Sequence, residues 1–113
     1  KIPTELAQLK QLEILDLYAN ALTGRIPSNL GASLGRLRDF DVHDNFLTGS
    51  MPNEICQLRK KKALRNLIAD CLTSHQAQRE VECSCCNICC EGLPNMRCID
   101  MTTREEVIVG NHY

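Results

Sequence analysis

The chain has 113 residues, with 13 basic and 14 acidic side chains and a formal net charge of −1. That balance argues against a dedicated nucleic-acid binder, and a 43% apolar share argues against disorder throughout. No stretch approaches the ~18 consecutive apolar residues that a membrane-crossing helix needs.

The chain opens at Lys1 with no leader pattern, in the middle of a repeat, which predicts that further repeats precede it. Ile2-Pro3-Thr4-Glu5-Leu6 recurs as Ile26-Pro27-Ser28-Asn29-Leu30 and as Met51-Pro52-Asn53-Glu54-Ile55, at offsets of 24 and 25 residues. A second block, Leu15 to Gly24, matches Phe40 to Gly49 at a constant offset of 25. The additional residue falls at Gly31-Ala32-Ser33, which predicts a loop there. Leu12, Leu15 and Leu17, like Leu37, Phe40 and Val42, have the spacing of a short strand. Leu22, Ile26, Leu30, Leu47, Met51 and Ile55 are the expected filling behind it. Asn20 and Asn45 turn the chain out of the strand, and their stacked amides can satisfy backbone groups of neighbouring turns. Gly24 and Gly49 suit a tight turn, and Pro27 and Pro52 an extended approach to the far side. A third copy, Leu64 to Cys71, is degraded: it keeps Leu64, Leu67 and Ala69, but Leu72 stands where Asn is due. The stack is expected to end there, as terminal repeats are usually atypical.

Asn, Gly and Ile-Pro in register with the leucines over roughly residues 2–72 resemble the plant-type leucine-rich repeat, LxxLxLxxNxLxGxIPxxLxxL. The resemblance implies an α/β solenoid with short parallel strands on a concave face and irregular or 3-10 connections on the convex side. It divides the chain into repeats (1–72), a Cys-rich cap (73–98) and a poorly ordered tail or stray strand (99–113).

Eight cysteines, Cys56, Cys71, Cys83, Cys85, Cys86, Cys89, Cys90 and Cys98, gather at the cap. Cys71 together with the run Cys83 to Cys90 resembles the C-terminal cap of receptor-like leucine-rich repeat proteins of diatoms and related algae. Three readings of the cluster stand open. A disulfide cap would staple the end of the core in an oxidising compartment. Cys83, Cys86 and Cys89 could instead hold zinc or copper, since thiolates are soft ligands, although His75 is the nearest histidine and no second spaced pair exists. A redox CxxC site is the third, without the βαβ context it requires. Eight cysteines permit about a hundred pairings, and Cys71 is expected to pair within Cys83 to Cys86. No Asn-x-Ser/Thr sequon is present.

Strand alternation places Asp16, Tyr18, Asp39, Asp41, His43, Asp44 and Asp70 on the concave face, with Ile68 among them. Asp16 and Asp41 should stand ~4.8 Å apart on adjacent strands. A cationic or peptide ligand could dock on this acidic strip, which a merely solvated strip would also explain. His43 reads as a surface histidine, since no Ser or Cys is in register with it. No hydrolase, kinase or nucleotide-binding motif is present, so no enzymatic activity is indicated and no cofactor is expected. Arg59-Lys60-Lys61-Lys62 with Arg65 is a basic run on the convex connection. It reads first as a solvated loop, and otherwise as a processing site, an anionic-surface contact or a nuclear-localisation patch.

Taken together, the sequence implies a protein- or peptide-recognition module of a cell-surface or secreted receptor-like protein involved in signal transduction. Nucleic acid is not expected as a partner, and a membrane is expected only through parts outside this chain. An intracellular adaptor with a metal-binding Cys cluster is the alternative.

Overall fold

In the computed structural model, which describes residues 1–72, 80–91 and 97–109, each repeat becomes one turn of chain with a fixed layout. The order among the described residues begins with a 3-10 turn (Thr4–Gln8), β1 (Ile14–Asp16), β2 (Thr23–Arg25) and helix α1 (Asn29–Ser33). It continues with β3 (Asp39–Asp41), β4 (Phe46–Thr48), helix α2 (Asn53–Lys61) and β5 (Asn66–Ala69). β6 (Ile88–Cys90), β7 (Cys98–Asp100) and β8 (Glu106–Val107) complete it. The main sheet runs β1-β3-β5-β6-β7-β8, and β2 and β4 pair separately.

The repeat period sets the register. Leu15 lies beside Phe40 and Phe40 beside Leu67, with Asp16, Asp41 and Ile68 in the next row. All three strands are parallel. Leu15, Phe40 and Leu67 point inward and are buried, together with Ile26, Leu30, Leu47, Met51 and Ile55 from the turns behind them. Leu12, Leu17 and Leu22 are partly buried against the same core. Each fully buried side chain of this size contributes ~1.5–3 kcal/mol.

The residue inserted in the second repeat is absorbed by a helix, not by a loop. In the first repeat, Leu9 N–H closes a three-residue step onto Leu6 C=O (3.0 Å). In the second, Leu34 N–H reaches back four residues to Leu30 C=O (2.9 Å). One extra residue widens a 3-10 turn into an α turn, and Gly31-Ala32-Ser33 lies inside α1. Gly31 is needed there, because a Cβ would stand 2.4 Å from the Glu54 carbonyl carbon and 2.5 Å from the Ile55 nitrogen of α2. Gly24 and Gly49 take φ of +82° and +85°, the left-handed turn that glycine favours.

Asn45 links two coils. Its amide donates to Leu17 C=O (2.9 Å), Val42 C=O (3.0 Å) and His43 C=O (3.3 Å), and its Oδ1 accepts Leu22 N–H at 3.1 Å. Asn20 works within its own turn, donating to Leu17 C=O (3.0 Å) and Tyr18 C=O (3.2 Å).

Past residue 72 the coil layout continues. Glu82 N–H donates to Gly49 C=O (2.9 Å) and Met51 N–H to Glu82 C=O (2.7 Å). β6 then adds a fourth parallel strand, with Ile68 beside Ile88 and Ala69 beside Cys89. The four disulfides are Cys56–Cys85, Cys71–Cys89, Cys83–Cys86 and Cys90–Cys98, and no cysteine is free. Cys71 therefore pairs with Cys89, outside the expected Cys83–Cys86 range. The parallel β5–β6 register brings the two together, with Cα atoms 4.8 Å apart. The segment from Cys98 onward, expected as a poorly ordered tail or a stray strand, supplies antiparallel β7 and β8. Val107 and Val109 pack there against Ile68, Cys90 and Cys98.

Candidate functional site

The outward face of the main sheet carries what the inward face excludes. Asp16, Asp39 and Asp41 alternate with the buried leucine and phenylalanine rows, so the pleat turns them outward. With Asn66, Ile14, Ile68 and Ile88 they line a groove of about 460 Å³. Ile108 and Val109, on the segment after β8, also line it. The groove is thus acidic across β1 and β3 and aliphatic toward the cap.

Two hydrogen-bonded systems hold its floor. Asn66 Nδ2 donates to Asp39 Oδ1 (2.7 Å), and Asn87 Nδ2 donates to Asn66 Oδ1 (3.1 Å), an amide chain across three strands. Asn87 Oδ1 also accepts Leu67 N–H at 2.7 Å. Sequence reading passed over Asn66 and Asn87. The available signal was their place immediately before, or first in, the third and fourth strands. The second system is Asp41–His43. Asp41 Oδ1 accepts the His43 backbone N–H at 3.0 Å and lies 2.5 Å from His43 Nδ1.

His43 is buried, 6% exposed, and is not the surface histidine expected from sequence. Its ring stacks on Tyr18, with centroids 5.3 Å apart and planes 10° apart. Burial works against its proton, but the hydrogen bond and charge of Asp41, with the charges of Asp70 and Asp44, outweigh burial. The His43 pKa therefore lies above its ordinary 6.5. Asp70, 4% exposed, accepts Asp44 N–H (2.9 Å) and Asn45 N–H (3.2 Å) with its two carboxylate oxygens. Burial raises its pKa, and those two N–H groups and His43 only partly offset this.

The seven residues named from sequence therefore separate. Asp16, Asp39 and Asp41 share the groove. Tyr18 and His43 form a stacked pair beyond its strand ends. Asp44, with φ of +58°, and Asp70 belong to the corner where the chain leaves the strand. His75 lies outside the described residues.

Ligand atoms of His43, Cys90 and Cys98 lie within 4.8 Å of one another. Both of those sulfurs are joined to each other, so this set offers one imidazole. Cys83, Cys86 and Cys89, the alternative metal set, are likewise all disulfide-bonded. No helix among the described residues is long and apolar enough to cross a membrane.

The Leucine Rich Repeat family matches residues 11–33 and 36–58. Over 52 residues, 46% of this chain, the sequence is 42% identical to the receptor-like protein EIX2 of Solanum lycopersicum. The chain covers 5% of the length of that relative. Two stretches of the chain thus match the leucine-rich repeat, consistent with a repeat of the plant type.

Proposed function

We propose that this chain is the C-terminal part of a solenoid in a cell-surface or secreted receptor-like protein, and that it recognises a protein or peptide through the outward strand face. In this reading residues 1–72 are the repeats, and the cystine-rich segment 73–98, extended by the strands that follow, closes the end of the core. The groove carries the reading: the carboxylates of Asp16 and Asp39, above the buried Asp41, and a set of aliphatic side chains line one open concavity on a disulfide-stapled frame. Such a surface offers both charge and apolar area to an extended ligand. Four disulfides and likeness to part of a receptor-like protein support an extracellular place and a signalling role.

A random peptide library displayed on phage, panned against the oxidised chain, tests the reading. Selected peptides should lose at least ~10-fold in affinity to Asp39→Lys and to Ile14→Lys, each about 1.4 kcal/mol or more. Ser28→Lys, on an exposed turn outside the groove, should leave them unchanged. Peptides indifferent to both groove substitutions would contradict it.

A further inference from the structure

The strand face leaves unexplained a row of cations at the opposite end of the strands. Position by position, Glu13, Arg38, Arg65 and Asn87 immediately precede β1, β3, β5 and β6. Backbone hydrogen bonds lock the first three into a ladder. Arg38 N–H donates to Glu13 C=O (2.7 Å) and Arg65 N–H to Arg38 C=O (2.9 Å). Arg38 and Arg65 thus stand one strand spacing apart, ~4.8 Å. Arg59, on the last turn of α2, donates from Nη1 to Arg65 C=O at 2.6 Å, which ties the helix end to the same ladder. Lys60, Lys61 and Lys62 are exposed between them.

These six cations are nearly half of the 13 in the chain, although its net charge is −1. Among the described residues, the acid within salt-bridge distance of any of them is Glu13, 3.6 Å from Arg38. The helix dipole favours Arg59, Lys60 and Lys61 in the last turn of α2. It also favours Lys62 at the C-cap, but gives no reason for Arg65, three residues further on, or for Arg38 on another coil. The edge position itself does not demand a cation, since it is Glu13 in one coil and Asn87 in another. Like charges brought this close repel, so the arrangement calls for an anionic counterpart.

We propose that this edge binds a linear anionic polysaccharide, one that carries a sulfate or carboxylate on each repeating unit. Two guanidinium groups at strand spacing, continued by the cations at the end of α2, can follow such a polymer, and arginine pairs bidentately with either anion. Four disulfides fit an oxidising compartment, such as the cell exterior, where such polymers occur. None of the six positions is aromatic, so the row offers no platform for stacked bases. This site is independent of the strand-face groove.

Fluorescent heparin and fluorescent polygalacturonate, titrated separately into the oxidised 113-residue chain, test the proposal. One or both should bind, with affinity falling at least ~10-fold between about 50 and 200 mM salt as bound counterions compete. The tighter polymer identifies sulfate or carboxylate as the preferred anion. The K60E/K61E/K62E variant and the Arg38→Glu, Arg65→Glu variant should each lower affinity at least ~10-fold. Arg104→Glu, in the turn between β7 and β8, should leave it unchanged. Intact mass and circular dichroism confirm four disulfides and unchanged structure in every variant, which separates loss of the site from loss of the fold. Unchanged affinity in either charge-reversal variant would overturn the proposal. So would tighter binding to phosphatidylserine vesicles or duplex DNA than to both polymers.

Discussion

Asp70 and Asn45 are joined across consecutive coils: a carboxylate oxygen of Asp70 accepts the Asn45 backbone N–H at 3.2 Å, and the other takes Asp44 N–H at 2.9 Å. Asn45 in turn holds Leu17 C=O and Leu22 N–H of the preceding coil. The degraded last repeat lacks the consensus asparagine, yet its aspartate, two residues earlier, engages the corner of the coil beneath it.

Asp70→Ala should therefore destabilise the chain by about 1–3 kcal/mol, since it strands the buried Asn45 N–H and the partly buried Asp44 N–H. Asp70→Asn, which keeps one acceptor, should cost less. Urea unfolding of the oxidised protein measures both.

Asn45→Ala removes an amide that serves two coils, and about 2–4 kcal/mol of stability should go with it. Asn20→Ala removes exposed bonds within one turn and should cost below ~1 kcal/mol. Equal losses in the same unfolding experiment would contradict the inter-coil role of Asn45.

Gly31→Ala inverts the usual helix rule. Alanine favours a helix over glycine by about 1 kcal/mol. Here the new methyl would meet α2 backbone at 2.4–2.5 Å. Net destabilisation of about 1–3 kcal/mol is expected, visible as a lower melting temperature.

The pH dependence follows from His43. Its folded pKa exceeds the unfolded 6.5, so the stability it contributes is complete below about pH 6.5 and fades as pH rises through the folded pKa. Asp70 acts with the same sign at lower pH, from its unfolded value of 3.8 upward, because the folded state resists its ionisation. The urea midpoint should fall between about pH 6 and 8, and His43→Gln should flatten that fall. A wild-type midpoint that rises over this range would contradict the assignment.

Much of this molecule is legible in its residues because a stacked coil repeats its own physics. The 25-residue offset put Leu15 beside Phe40 and Asp16 beside Asp41, and the glycines at Gly24 and Gly49 marked left-handed turns. Legibility ends where the period does. Cys71 pairs with Cys89 because β6 continues the ladder, and no repeat signal announces β6. The burial of His43 depends on Tyr18, Asp41 and the strands after β5 together, contacts that cross the repeat boundary. Asn66 lines the groove, and Asn87 supports it from the next strand, through side-chain bonds that local pattern does not encode.

Cross-strand nuclear Overhauser effects in the oxidised chain test the stacking most directly, since groove, corner and basic ladder all derive from it. Contacts are expected between Leu15 and Phe40, Asp16 and Asp41, Asp41 and Ile68, and Ile68 and Ile88, in a parallel pattern. Antiparallel contacts between these strands, or a shift that sets Asp16 beside Phe40, would contradict it.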